Sequence, residues 1–339
     1  MKEIATRDAV GHVLCHDLTQ IIPGEYKGAR FRKGHIVTED DIPVLLSMGK
    51  EHLYVWELQP GVLHENDAAE RLCAITINDG MTRSDVREGK IELFAAQSGV
   101  FLVDSEKLLA INSIDEITIA TRRGNFPVQA GDKLAGMRVI PLVIDEEKLK
   151  EADRIAGGKP ILSLLPYRLR TAAVITTGSE VFFGRIEDKF TPVLIEKLAV
   201  YGIEVTLHTV VDDQKAHITE AIAAAKAAGA DLILCTGGMS VDPDDQTPGA
   251  IRDSGAEIVT YGAPVLPGAM LLLGYFADGT PILGLPGCVM YAKATVLDLI
   301  LPRIAAGVRL EKRDFISLGE GGLCLGCKPC TFPHCPFGR

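Results

Sequence analysis

The sequence has no excess of positive charge. Of its 339 residues, 35 are Lys or Arg and 45 are Asp or Glu, a formal net charge of −10. Such a chain lacks the broad basic face that phosphate backbones need, so no nucleic-acid partner is expected. Long apolar runs are missing too: none reaches the roughly 18 residues of a membrane span, so no membrane partner is expected either. The opening residues, Met1-Lys2-Glu3-Ile4-Ala5-Thr6-Arg7-Asp8, hold no apolar signal core, which makes the cytoplasm the expected location. No short-period repeat or low-complexity tract occurs. The pattern Gly-x-x-x-x-Gly-Lys-Ser/Thr is absent, which counts against a P-loop nucleotidase. The composition that is present, 47% hydrophobic and 24% charged, is that of a folded chain and excludes a mainly disordered one. The length implies two or three domains.

Four regions separate along the chain. Residues 1–60 form a β-rich N-terminal region. Val10–Leu14 and Leu53–Trp56 read as strands. Thr38 to Leu46, with an oxygen cap and early acids, reads as a helix start. Lys27, Arg30, Arg32 and Lys33 read as a solvated hairpin, with an anion clamp as the sharper alternative. Residues 61–165 are mixed α/β, with strand-like segments at Ile91–Ala96, Ile114–Thr121 and Val139–Ile144. Gly131, Asp132 and Gly136 mark turns before the last of these. Residues 166–310 alternate strand and helix. Ala172–Thr176, Ile203–Val211, Asp231–Cys235 and Ile282–Leu285 are apolar strands; Phe190–Tyr201, Asp213–Ala228 and Val289–Ile304 read as helices. That rhythm means α/β architecture, a mostly parallel sheet covered on both faces in three layers, α/β/α. Residues 311–339 form a short Cys-rich tail.

In an open parallel sheet, ligands sit beyond the carboxyl ends of the strands. Four fragments follow apolar strands and should emerge at one edge. In Thr177-Gly178-Ser179-Glu180, the glycine frees backbone N–H groups for an anion, and Glu180 adds a carboxylate. In Val211-Asp212-Asp213, Asp213 is expected to cap the next helix, leaving Asp212 for the site. The third, Gly237-Gly238-Met239-Ser240 through Asp242, Asp244, Asp245 and Thr247, combines a phosphate-cradling turn with acids suited to Mg²⁺. The fourth, Pro286-Gly287, leads towards a helix N-terminus. Each fragment alone is more often an ordinary turn. Together, glycine turns and acids at several strand ends of one α/β unit point to phosphate and a divalent metal.

These residues carry a resemblance. Thr177-Gly178-Ser179-Glu180, Gly237-Gly238-Met239-Ser240-Val241 with Asp245-Gln246-Thr247-Pro248, and Leu285-Pro286-Gly287 make residues 171–306 similar to the molybdopterin-binding domain. That domain is shared by molybdopterin adenylyltransferases and molybdopterin molybdenumtransferases. The resemblance implies binding of molybdopterin through its phosphate, by Thr177, Gly178, Ser179, Gly237, Gly238, Ser240, Thr247, Pro286 and Gly287. Asp245 matches the acid that adenylyltransferases use in moving AMP from ATP. Glu180 matches the glutamate of the transferase's Gly-Asp-Glu motif, with Ser179 in place of its Asp. Glu180, Asp212 and Asp245 are therefore the expected catalytic carboxylates, working with Mg²⁺. The domain order favours molybdate insertion into adenylylated molybdopterin with AMP release over adenylyl transfer. Residues 1–165 hold no Met-Asp-Gly-Tyr-Ala or Arg-Ile-Met-Thr-Gly segment of the transferase, and its small C-terminal β domain is missing. A carrier or sensor that hands cofactor to a molybdoenzyme is the non-enzymatic alternative. A fused pyridine-nucleotide amidase is disfavoured, since no second nucleophile and base pair is readable in residues 1–165. The family also implies a homo-oligomer.

The eight cysteines are uneven, with Cys324, Cys327, Cys330 and Cys335 crowding the last sixteen residues. Without an export signal, such a cluster favours metal over disulfides. The spacing C-x2-C-x2-C-x4-C is one residue longer than a bacterial ferredoxin run. It also fits a Cys₄ zinc knot, with His334 able to replace one thiol. Iron–sulfur and zinc both stay open. Cys235, Cys288 and His208 read as core residues, not as nucleophiles or ligands.

Overall fold

The computed structural model describes residues 2–22, 26–55 and 61–338. Trp56 and the boundary placed at residue 60 lie outside the described residues. The chain divides into two compact units. The first comprises residues 1–94, 104–122 and 133–163 and the second residues 95–103, 123–132 and 164–339.

In the first unit, Lys2–Ala5 pairs antiparallel with His52–Val55, and Leu18–Ile22 with Tyr26–Phe31. Leu14, Leu18, Phe31, Val37, Leu45 and Leu53 form their small core. The helix expected near Thr38 runs Asp41–Ser47. Asp41 turns back to accept from the Thr38 backbone N–H and hydroxyl, both at 2.8 Å. Lys27, Arg30, Arg32 and Lys33 are exposed on and beyond the hairpin. Val10–Leu14 is not a strand; only isolated bridges form, at Val13 and Leu14. The segment Val139–Ile144 also departs from expectation. One strand, Lys133–Val139, ends there, and a separate one, Val143–Asp145, pairs antiparallel with Val62–His64. Pro141, which has no N–H to give a ladder, lies in the break. Gly136 is not a turn but sits inside the strand, between Glu92 and Ala120 of its two neighbours.

The main sheet of the second unit has six strands: β1 (Thr171–Thr177), β2 (Glu204–Val211), β3 (Leu232–Thr236), β4 (Glu257–Tyr261), β5 (Leu272–Tyr275) and β6 (Pro281–Leu285). Their order is β2-β1-β3-β6-β5-β4. β2, β1, β3 and β6 run parallel, and β5 is antiparallel to both β6 and β4. The helices are α1 (Ser179–Phe182), α2 (Phe190–Ala199), α3 (Lys215–Ala227), α4 (Thr247–Asp253), α5 (Val296–Ala305) and α6 (Lys312–Ile316).

Alternation along the central strands separates two cores. Ala172, Val174, Leu232 and Leu234 pack with Leu194 and Leu198 of α2 and Leu297 and Ile300 of α5. Ala173, Ile175, Ile233 and Cys235 face the other way, onto Ile218 and Ile222 of α3 and Ile251 of α4. With both faces covered, β1, β3 and β6 are buried, which is why they read as continuous apolar runs, whereas the edge strand β2 is half-exposed. The α/β/α layering expected from the sequence is the observed one.

One helix start differs from expectation and another agrees with it, α2 beginning at Phe190. The helix expected over Val289–Ile304 is broken: a short 3₁₀ turn spans Gly287–Met290, and α5 begins only at Val296. Thr295 and Asp298 form a reciprocal capping box that fixes this start. At α2, Asp188 supplies the cap. One of its oxygens accepts from the Phe190 and Thr191 N–H groups at 2.8 and 3.1 Å. The other accepts from the Thr176 and Thr191 hydroxyls at 3.0 and 2.6 Å.

Burial acts to raise the Asp188 carboxyl, but these hydrogen bonds outweigh it and hold its pKa below the usual value. A depressed carboxylate stabilises the fold above its unfolded pKa and loses that contribution as pH falls through its folded one. Asp188→Ala should therefore cost about 1–2 kcal/mol at neutral pH. It should also flatten the acid limb of a plot of unfolding free energy against pH. An unchanged acid limb would remove Asp188 from this role.

Candidate active site at the strand ends

The four fragments singled out in the sequence do share one edge. Thr177 of β1 pairs with Val211 of β2, Thr176 with Thr236 of β3, and Thr236 with Leu285 of β6. The chain leaves β1 to form β2 on one side and returns to form β3 on the other. The sheet order therefore reverses between β1 and β3, and a crevice is expected at such a switch point.

At this switch point the loops pack against one another under steric compulsion. Gly237 has φ +84°, and a Cβ there would stand 2.3 Å from the Thr177 carbonyl oxygen. Gly238 has φ +54°, and a Cβ there would meet the Thr247 hydroxyl at 2.9 Å. The Thr177 hydroxyl donates to the Thr236 carbonyl at 3.0 Å and stands 3.2 Å from the Thr247 hydroxyl. The Thr247 N–H donates to the Gly238 carbonyl at 3.3 Å. Thr177, Gly237, Gly238 and Thr247 thus form one contact group. Gly178 has φ +138°, and its missing Cβ would lie 3.2 Å from the Glu180 carboxylate. Ser240 is exposed on the same loop as the glycine pair. Gly287 is different: a Cβ there would meet nothing within 4 Å, so packing within the chain does not demand glycine.

The acids divide by engagement. Glu180 is exposed. Asp245 closes the acidic turn: one carboxylate oxygen accepts from the Asp242 N–H at 3.0 Å, and its own N–H donates to the Asp242 carbonyl at 2.9 Å. The pair after β2 reverses the expected assignment. Asp212, not Asp213, holds the start of α3, accepting from the Gln214 N–H at 3.1 Å and the Gln214 side chain at 2.9 Å. It also meets His217 Nδ1 at 2.7 Å. Burial tends to raise the Asp212 carboxyl, and its His217 and Gln214 hydrogen bonds overcome that and hold it low. Asp213 instead reaches the site loop, accepting from the Ser179 N–H at 2.7 Å. Sequence could not separate two adjacent aspartates, because either can cap a helix.

Three features went unread in the sequence. An open groove of 360 Å³ runs beside β2, lined by Phe182, Thr209, Asp212, His217 and Glu220 among others. Thr236, at the crevice end of β3, has a buried hydroxyl without a hydrogen-bond partner. Asp188 joins His208 to Thr176 and Thr191: His208 Nε2 lies 3.1 Å from each hydroxyl and 3.3 Å from the carboxylate. His208 is thus a satisfied histidine, but not the core residue expected: it is exposed on the edge strand β2. Burial pushes the Cys235 thiol up to about 12 and raises that of Cys288, so neither is an activated nucleophile.

Comparison with known proteins adds the family. Residues 173–306 match the family described as a probable molybdopterin binding domain. This segment is identified by that match as a molybdopterin-binding domain. Residues 3–57 match a family described only as a domain of unknown function. A putative competence-damage inducible protein of Bacillus thuringiensis (strain Al Hakam) is 38% identical over 95 residues. That match covers 28% of this chain and 23% of the relative, so the chain spans about a quarter of such a relative's length. Among solved structures, the molybdopterin biosynthesis enzyme MoaB from Thermus thermophilus is 23% identical, with a TM-score of 0.33. It covers 41% of this chain and 98% of its own. CinA of unknown function from Thermoplasma acidophilum is 20% identical, with a TM-score of 0.31, covering 35% of this chain and 89% of its own. The matched residues 173–306 span nearly all of the six-stranded sheet and its strand-end loops. None of the described helices is long and apolar enough to cross a membrane.

Proposed function

We propose that the protein binds molybdopterin or its adenylylated form across the crevice between β1 and β3, and inserts molybdate with release of AMP. The observation that carries this reading is the glycine cradle: Gly237 and Gly238, in conformations side chains rarely adopt, lie against Thr177 and Thr247. Backbone N–H groups of such a turn can take up a phosphate. Ser179, Ser240, Pro286 and Gly287 complete the proposed ligand rim. The second reaction, adenylyl transfer from ATP to molybdopterin, is favoured by Asp245, which sits directly before Gln246-Thr247-Pro248 in an ordered turn.

Glu180 and Asp245 are the proposed carboxylates for Mg²⁺, which often takes one or two carboxylates together with substrate phosphates. Among the described residues no three metal-binding side chains are grouped, so phosphate oxygens would supply further ligands. Mg²⁺ held there would neutralise phosphate charge as the bond to AMP breaks. Asp212 acts in this reading as a positioning residue for α3 and His217, and Asp213 orients the Ser179 amide. A homo-oligomer, and delivery of the product to a molybdoenzyme, complete the proposal.

The test is turnover. Anaerobic protein is given adenylylated molybdopterin, molybdate and Mg²⁺, and AMP is followed; separately it is given molybdopterin and Mg²⁺-ATP, and pyrophosphate is followed. Molybdate-dependent AMP release is the expected result. Pyrophosphate release alone would replace insertion with adenylyl transfer. Tight pterin binding with neither product would overturn the enzyme and leave a carrier.

A further inference from the structure

The four tail cysteines lie in a loop that the rest of the second unit holds closed. At its start, the Leu266 N–H donates to the Gly322 carbonyl, and the Cys324 N–H donates to the Leu266 carbonyl, both at 2.8 Å. At its end, the Gly338 N–H donates to the Gly321 carbonyl at 2.9 Å. Both ends are wedged where only glycine fits. A Cβ on Gly322 would stand 2.4 Å from the Leu318 carbonyl oxygen, and one on Gly338 would stand 2.4 Å from the Leu299 side chain. Phe337 is buried in the core beside α5, with Phe332 against it at 6.1 Å between ring centres.

Between these anchors the described chain carries no helix or strand. A loop without regular structure needs something else to offset its ordering cost. All four thiols are free of disulfides. Cys324 and Cys335 are half-buried against the core, while Cys327 and Cys330 are exposed. All four nonetheless line one cavity, together with Ala294 and Phe337. As placed, no three of them are grouped to hold an ion. Loading would draw the exposed pair onto the half-buried pair, a movement that an irregular loop with fixed ends allows.

We propose that Cys324, Cys327, Cys330 and Cys335 are the ligands of a single thiolate-bound metal centre that closes this loop. The soft thiolate set selects zinc or an iron–sulfur cluster over hard cations. Binding energy for such a centre is also folding energy for the loop. Ala294 gives the centre a place in the fold. It directly precedes Thr295, the cap of α5, in the segment that leads from Pro286-Gly287 at the crevice. The centre therefore braces the far end of the fourth strand-end loop. This inference stands independently of the reaction proposed above.

The full chain, purified without oxygen, is analysed for zinc, iron and acid-labile sulfide, before and after reconstitution with Zn²⁺ alone or with Fe²⁺ and sulfide. About one zinc, or about four irons with matching sulfide, per chain is expected. Visible thiolate-to-iron absorption separates the cluster from zinc, and either supports the site. The single variants Cys327→Ser and Cys330→Ser change exposed residues, so the fold should survive. Each should weaken metal binding by more than about 100-fold, beyond what removal of an outer partner does. Their thermal midpoints, measured on metal-free protein, should match that of the parent. Metal-free protein whose four tail thiols react freely with a thiol reagent, before and after both reconstitutions, would overturn the proposal. Full metal content in both variants would do the same.

Discussion

Replacing Gly237 with alanine should destabilise the second unit by about 3 kcal/mol or more and weaken pterin binding at least tenfold. Two effects add. An L-residue in the left-handed region costs about 1–2 kcal/mol. The new methyl would also stand 2.3 Å from a backbone carbonyl, that of Thr177, which no rotamer change can move. β1 and β3 are joined by register up to Thr176 and Thr236, so the loops above them must part instead. That opens the crevice and separates Thr177 from Thr247. Gly229→Ala is the matched control. It has φ +76° with nothing within 4 Å of a Cβ, so it carries the backbone strain alone. Chemical denaturation of both variants, with pterin binding measured by fluorescence or calorimetry, makes the comparison. Equal costs for the two substitutions would mean that the contact with Thr177 does not constrain the crevice.

The second large effect is expected in turnover. Asp245→Asn should lower the reaction rate by about 10²–10³-fold while leaving pterin affinity within about threefold. The substitution isolates charge from shape. The asparagine carbonyl can still accept from the Asp242 N–H, so the turn that places residue 245 before Thr247 is kept. What is lost is a full negative charge where Mg²⁺ and phosphate would meet. Unchanged turnover would remove Asp245 from the reaction. Lost binding together with a lowered thermal midpoint would assign it to the turn alone. Glu180→Gln is the companion variant: it shares the charge argument but hangs from a different loop, so matching losses would place both acids in one event.

The alternation of strand and helix after residue 170 was legible in the sequence because each central strand is buried on both faces. Ala172–Ile175 and Leu232–Cys235 touch one core with even positions and another with odd ones, so every position is apolar. The glycine turns were legible for a related reason. Gly178, Gly237 and Gly238 all have positive φ, and few residues other than glycine accept that cheaply. The break before α5 was written in the sequence as Thr295-x-x-Asp298, but the apolar run from Val289 masked it. Asp188 was equally readable, three residues before Thr191, yet its partners Thr176 and His208 are remote in sequence.

The sequence by itself determined the fold class and the strand-end loops, because local backbone preference and two-sided burial act residue by residue. It also placed four thiols within twelve residues of one another. Only the tertiary structure decided the strand order, and with it the switch point between β1 and β3, since pairing joins residues some 60 positions apart such as Thr176 and Thr236. It likewise decided which aspartate serves the helix and which the site: Asp213 meets the Ser179 amide, 34 residues away, while Asp212 stays with α3. It placed residues 95–103 and 123–132 in the second unit. And it brought Ala294 to the cavity of the tail thiols. Such contacts depend on where distant segments pack, and no local pattern of residue types encodes that.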